Sequence, residues 1–174
     1  LIISIFLSAN CFSQLNIVPM PVKVIKASGE FLLNKKTYIL SDTKSNEESA
    51  KLLNFYLKEL LGFVLPVKQK TDQTDNFIFF SSQHDEGNSP REGYHLRIQK
   101  NKIEIAAKTN AGYFYGIQTL LQIIEQTATK QRTTGNGQRA IALLTISDYP
   151  RSPDRRLHLD VGGDCFAVSF IKKY

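Results

Sequence analysis

The sequence predicts an α+β domain: a largely antiparallel sheet with two helices on one face. Two stretches, 45–61 and 109–124, repeat apolar residues at helical spacing. Several shorter stretches alternate apolar and polar residues at strand period, and residues 94–107 join two of these into a hairpin. A helix with one apolar stripe and a sheet with one apolar face must cover each other, which gives helices laid on a sheet. The 174 residues are 42% hydrophobic, with 11 Phe and 7 Tyr, enough apolar surface for a core without staples or metal.

The elements follow in chain order. Residues 1–13 hold a short apolar run, Leu1 to Leu7, then small residues near Gln14, the pattern of a secretory signal peptide cleaved before Gln14. A lipoprotein signal ending at Cys11 is a second reading, and a buried N-terminal strand a third. From 15 to 40, Ile17-Val18, Val22 to Ile25, Phe31 to Leu33 and Tyr38 to Leu40 are β-prone. Pro19, Pro21 and Gly29 interrupt them, which predicts short or edge strands.

Ser45 with Glu48 three residues on reads as a capping box. Leu53, Leu57, Leu60 and Leu61 then share a face with Ala50 and Tyr56, and Gly62 is placed to end the helix left-handed. Val64 to Val67 and Phe77 to Phe80 are strand candidates, the second apolar on both faces and hence central. Residues 81–93 are a surface loop. Tyr94, Leu96 and Ile98, then Ile103, Ile105 and Ala107, form a hairpin turning at Lys100-Asn101.

Thr109 opens the second helix, whose buried stripe is Tyr113, Phe114, Ile117, Leu120, Leu121 and Ile124. Gly112 and Gly116 lie inside it. Each costs about 1 kcal/mol against Ala in a helix interior, so the pair predicts close approach to a neighbouring backbone. Residues 130–138 form a polar loop and Ile141 to Ile146 another strand. After Pro150, Leu157, Leu159 and Val161 form one more strand, and Phe170 begins a helix that the sequence leaves unfinished.

Several function classes are excluded. Two cysteines, Cys11 and Cys165, cannot supply a disulfide framework or a four-thiolate zinc site. No apolar run reaches the roughly 18–20 residues of a membrane span. The net charge of +6 is spread among apolar residues rather than gathered on one element, so nucleic acid is a poor partner. The Gly-x-Gly of 135–137 lacks a preceding strand and a following Lys-Ser/Thr, so it marks no phosphate loop. His84 and His95 read as solvated. His158 and Asp160 read as strand residues, Cys165 as no nucleophile, and the Asp148/Asp154 spacing as no acid–base pair. No cofactor or metal is implied.

Three stretches together carry a resemblance: Val18-Pro19-Met20-Pro21; Glu92-Gly93-Tyr94-x-Leu96-x-Ile98, Ile103-x-Ile105-x-Ala107 and Gly112 to Gln122; and Ile146-x-Asp148-x-Pro150-Arg151 with Arg155 to Val161 and Phe170 to Tyr174. They resemble secreted β-N-acetylhexosaminidases of glycoside hydrolase family 20, of the type found in Bacteroidetes, over essentially residues 17–174. The resemblance implies a signal peptide at 1–13, a non-catalytic α+β domain at 14–150 and the start of a catalytic (β/α)8 barrel at 151–174. Such a barrel takes about 250 residues, so the sequence reads as truncated. In the family an Asp-Glu pair on later barrel strands performs catalysis. The Glu is the general acid, and the Asp orients the substrate's own acetamido group as nucleophile, the substrate-assisted exception among retaining glycosidases. No residue of this sequence matches that pair.

One sugar-binding residue does match. Arg155 occupies the position of the arginine that opens barrel strand one and binds hydroxyls of the terminal sugar; a guanidinium fork can donate to two vicinal hydroxyls at once. Around it the sequence departs from the family: Arg156 stands for Gly, Asp154 for an aromatic, Ser152 for Phe, Gly163-Asp164 for Arg-His and Ala167 for Pro. The implied partner is a glycan ending in N-acetylhexosamine, met by the barrel, and the implied location is periplasmic or extracellular, with lipid anchoring at Cys11 the second reading. A scaffold or carbohydrate-contact module of a different barrel glycosidase is the alternative function. Oligomeric state is not legible.

Overall fold

The structure, a computed structural model, describes residues 15–41, 43–69, 75–82, 91–130 and 138–152. The elements run β1 (Lys23–Leu33), β2 (Tyr38–Leu40), α1 (Lys44–Leu61), β3 (Val67–Lys68), β4 (Phe77–Ser81), β5 (Tyr94–Ile98), β6 (Lys102–Ala107), α2 (Asn110–Lys130) and β7 (Arg139–Asp148). The strands make one sheet in the order β1-β7-β5-β6-β4-β2-β3. Buried residues of both helices join one face of the strands in a single core built on Leu53, Leu57, Ile78, Leu96, Ile103, Ile105, Ile117 and Ile124.

The α+β class and the two helices stand as expected, but the sheet is mixed. β1–β7, β7–β5 and β5–β6 pair antiparallel. β6–β4, β4–β2 and β2–β3 pair parallel. For β2–β3 the physical reason is α1, which joins them. A helix between two strands of one sheet carries the chain back to its starting edge, and the returning strand then runs parallel to the first.

Other boundaries moved as well. Helix α1 is capped by Thr43, whose hydroxyl accepts from the Asn46 amide at 3.2 Å, so the predicted cap position, Ser45, falls inside the helix instead. Its end is as read: Gly62 is left-handed at φ 75° and its amide donates to the Lys58 carbonyl at 2.9 Å. The 64–67 strand shrinks to Val67–Lys68, because Asn54 grips the preceding loop. Its carboxamide accepts from the Leu65 amide and donates to the Leu65 carbonyl, at 2.8 and 2.9 Å. β1 is an edge strand but not a short one, since the pieces on either side of Gly29 are one strand. Its register against β7 shifts between Lys26 and Glu30, a bulge, with Gly29 at φ 113°.

Helix α2 lies over β5, β6 and β7. Thr109 caps it, accepting from the Gly112 amide at 3.3 Å and donating to the Arg91 carbonyl. The glycine pair does what its spacing predicts. A Cβ on Gly112 would come within 2.5 Å of the Gly93 carbonyl oxygen and 2.8 Å of Ala107 Cβ. A Cβ on Gly116 would meet Ile105 Cγ2 at 2.6 Å. Phe114 departs from its expected place in the stripe: it is 38% exposed, and Ile123 is buried alongside Ile124. The helix turns its outer side at position 114, just where three aromatic residues in a row cannot all face inward.

Candidate functional site

Arg155, the one sugar-binding residue the sequence offered, lies outside the described residues, as do Cys11, His84, Asp154, Arg156, His158, Asp160, Gly163, Asp164, Cys165, Ala167 and the proposed barrel strand and helix. Ser152 is described, and the chain leaves the described domain there.

The described residues form a cleft of ≈ 530 Å³ just before that point. One wall is Val18-Pro19-Met20, the other Tyr149-Pro150-Arg151, and Tyr94, Tyr115, Gln118, Thr119 and Asp148 line it between them. Each wall is fixed by identifiable bonds. Gln122 and Gln126, one helical turn apart on α2, act as surrogate strand partners for the incoming chain. Gln122 accepts from the Val18 amide at 2.9 Å and donates to its carbonyl at 3.0 Å. Gln126 does the same for Asn16, at 2.8 and 2.6 Å. The second wall is anchored by Asp148 at the end of β7, which accepts from the Val22 amide at 3.1 Å and from the Tyr94 hydroxyl at 3.3 Å.

Tyr94 is the floor. Its ring packs beside Gly116, and its hydroxyl shares a 2.5 Å hydrogen bond with Thr119 Oγ1. Burial pushes its phenol well above the usual value, and the nearby Asp148 carboxylate raises it further. It stays neutral and serves as a structural donor. Asp148 is likewise committed to its two donors, so the cleft's central groups hold chain segments together.

The cleft has one unsatisfied group. The side-chain nitrogen of Gln118 is buried and has no hydrogen-bond partner among the described residues. The walls are apolar and open: Val18 is 75% exposed, Met20 79% and Tyr149 45%. None of these residues was singled out from sequence as a cleft. The signal lay in the Gln118-x3-Gln122-x3-Gln126 ladder, which places three carboxamides on one helix face.

Elsewhere the chemistry is structural. His95 is half-buried rather than solvated, with its Nδ1 2.7 Å from Ser147 Oγ, its cross-strand neighbour on the helix-free face. Arg97 and Glu104 pair across the β5–β6 ladder at 3.4 Å. Among the described residues no group of three or more His, Cys, Asp and Glu side chains is placed to hold a metal, and no helix is long and apolar enough to cross a membrane.

Comparisons with known proteins agree with this fold. The profile for glycosyl hydrolase family 20, domain 2, matches residues 14–149. A beta-hexosaminidase of Porphyromonas gingivalis is 28% identical over 162 residues, which is 92% of this chain and 20% of that protein. The chain thus spans about a fifth of this relative's length. A Streptomyces plicatus N-acetyl-beta-hexosaminidase, solved in complex with Thio-NAglucal, superposes with a TM-score of 0.62 at 26% identity, covering 78% of this chain and 26% of that one. A Vibrio harveyi exo beta-N-acetylglucosaminidase in complex with N-acetylglucosamine shares the fold, with a TM-score of 0.63 at 19% identity over 78% of this chain and 19% of that one. The matched residues are those that form the sheet and its two helices, and the chain accordingly belongs to glycosyl hydrolase family 20.

Proposed function

We propose that this chain is the N-terminal, non-catalytic part of a secreted exo-β-N-acetylhexosaminidase that removes terminal N-acetylhexosamine from glycans with retention, using the substrate's acetamido group as nucleophile. The observation that carries this reading is the extent of the family match, which runs from Gln14 to Tyr149 and stops one residue before the boundary at Pro150. The relatives' names supply the substrate class. In this division of labour, residues 14–150 fold the sheet and helices, 151–174 begin the barrel, and Arg155 holds hydroxyls of the terminal sugar through its guanidinium fork. Proton donation to the leaving oxygen and orientation of the acetamido group belong to an Asp-Glu pair on later barrel strands.

The test has two arms. Purified residues 14–174, assayed on a chromogenic N-acetylglucosaminide, are expected to give no turnover above the buffer blank. Turnover that Arg155→Ala abolishes would overturn the reading. In the second arm, the DNA downstream of Tyr174 is read for an open frame with an Asp-Glu pair following a strand. A frame that continues without such a pair leaves only a module of another glycosidase. Export is checked separately: N-terminal sequencing of secreted protein is expected to begin near Gln14, and material retaining Leu1 refutes the cleaved signal.

A further inference from the structure

We propose that the helix-free face of the sheet binds an anionic glycan chain where Tyr38, Phe77 and Phe79 are flanked by Lys68 and Lys102. The rings take the C–H faces of its pyranoses and the lysines its acid groups. Three observations lead there.

The first is the register. Side chains alternate between faces along a strand, and Ile39, Ile78 and Ile103 lie in the core, so their sequence neighbours share the opposite face. Cross-strand pairing sets Tyr38, Phe77 and Lys102 in one row of that face. The next row runs Lys68, Leu40, Phe79, Glu104 and Arg97. Tyr38 stacks on Phe77 with ring centroids 5.6 Å apart, and Phe79 follows 5.6 Å from Phe77. The Lys68 ammonium sits 4.4 Å from the Tyr38 centroid, and that of Lys102 sits 5.3 Å from the Phe79 centroid. A ring face orients an ammonium without using up its three donors.

The second is charge. Asn76 laces the turns at this end of the sheet: its side-chain oxygen accepts from the Thr37 hydroxyl at 2.7 Å, and its amide donates to the Asn101 carbonyl at 2.6 Å. The turns carrying Lys35-Lys36 and Lys100 therefore meet at the start of β4. With Lys68 and Lys102 that makes five lysines against one described acid, Asp75, a balance of +4 in a chain of +6. Glu104 does not offset them, because Arg97 holds it at 3.4 Å. Lys35, Lys36 and Lys100 are exposed, and neither they nor Lys102 form an ion pair among the described residues. Charge that the sequence scatters over separate elements is gathered here by the fold, and such a concentration draws polyanions.

The third is the kind of ring surface. Phe77 and Phe79 are half-buried. They offer a shallow platform for a pyranose, the combination of aromatic surface and polar groups that sugar sites use, and no free-standing ring to slip between stacked bases. None of Tyr38, Leu40, Phe77 and Phe79 is exposed enough to enter a bilayer. The proposal is independent of the functional reading, since it concerns a face remote from any hydrolytic step.

The test is calorimetric titration of the full chain with oligogalacturonate and with dextran sulfate, against neutral dextran and poly-glutamate. Binding to either acid-bearing glycan but not to dextran is expected, the tighter of the two naming the acid. Lys68→Gln with Lys102→Gln should weaken it about fivefold, whereas Lys23→Gln with Lys26→Gln, the same change in net charge elsewhere, should not. Phe79→Leu should weaken glycan binding about threefold and leave poly-glutamate binding unchanged. Equal losses from the two lysine pairs overturn the proposal, as does a Phe79→Leu protein that binds both polyanions like the wild type. Tighter binding of single-stranded DNA, or of vesicles containing anionic phospholipid, with the same dependence on Lys68 and Lys102 assigns the face to that partner and overturns it too. If Phe79→Leu does not fold, the lysine comparison decides alone. Glycosidase activity enters none of these readouts, so failure here leaves the functional reading untouched.

Discussion

Tyr94 ties β5, β6, β7 and α2 together. It pairs with Ala107 on β6 and Asp148 on β7, packs against Gly116 of α2, and hydrogen-bonds Thr119 and Asp148. Its phenol sits above the ordinary value near 10 because burial disfavours the phenolate. A group whose pKa is raised on folding gives stability that is complete below the unfolded value and is lost as pH climbs toward the folded one. Tyr94→Phe should therefore cost about 1–2 kcal/mol at pH 7 through lost hydrogen bonds. That deficit should narrow above pH 10, where the wild type alone loses about 1.4 kcal/mol per pH unit from this group. Urea unfolding of both proteins at pH 7 and 11 checks this, and a constant gap refutes it. The two α2 glycines make a second prediction. Ala in place of either gains about 1 kcal/mol of helix propensity, against overpacking costs of about 1–3 kcal/mol. Crowding should win at both. It should win by more at Gly112, whose obstacle is the Gly93 backbone carbonyl, than at Gly116, whose obstacle is the Ile105 side chain. Gly116→Leu should cost a few kcal/mol, and an unchanged melting temperature rules the packing argument out. The glycine spacing was visible in the sequence because a rule about helix interiors was broken there. The convergence on Tyr94 was not, because it depends on which strands are neighbours.

At the level of elements, local signals located the helices and non-local ones were needed for the rest. Gly62 was legible as a C-cap because only the left-handed backbone is wanted there and glycine adopts it freely. The N-cap was misplaced because Ser45-x-x-Glu48 matches a box that Thr43-x-x-Asn46 matches less well, yet Thr43 makes the bond. The assignment can be tested: Thr43→Ala should cost about 1 kcal/mol and Ser45→Ala clearly less, by chemical denaturation, and equal costs refute it. The hairpin 94–107 was legible because its two strands are adjacent in sequence. The parallel half of the sheet was not read, although a strand on each side of an 18-residue helix was itself the sign of a crossover. The carboxamide straps are the least legible device, since Gln on a helix usually faces water. Gln122→Leu should remove two hydrogen bonds, cost about 1–2 kcal/mol, and speed exchange at the Val18 amide while leaving that at Leu96 slow.

Over the whole molecule, the division between a closed core and an open cleft at its edge sets what a sugar can do. The helix-side core is closed: Leu96, Ile103, Ile105, Ile117 and Ile124 are fully buried and leave no room for a pyranose. Asp148, one of two acids lining the cleft, has its oxygens taken up by Val22 and Tyr94, and burial holds the phenol of Tyr94 neutral. A pyranose needs several free hydrogen-bonding groups converging with an apolar or aromatic platform. Here Tyr94, Thr119 and Asp148 bond to one another, Gln122 is committed to the Val18 backbone, and the exposed side chains Val18, Met20 and Tyr149 are walls. The net charge of +6 offers a neutral sugar no purchase. If a sugar bound the folded chain alone, it would stabilise it by RT ln(1 + [L]/Kd). At a concentration equal to Kd that amounts to about 0.4 kcal/mol, and at ten times Kd to about 1.4 kcal/mol, the latter a rise of several degrees in a domain this size. The expectation is that N-acetylglucosamine at about 10 mM leaves the melting temperature of the 174-residue chain unchanged. A dose-dependent rise that Arg155→Ala removes would mean the sugar site is assembled within residues 151–174 without a complete barrel. A rise that survives Arg155→Ala and disappears with Gln118→Met would place the sugar in the cleft instead.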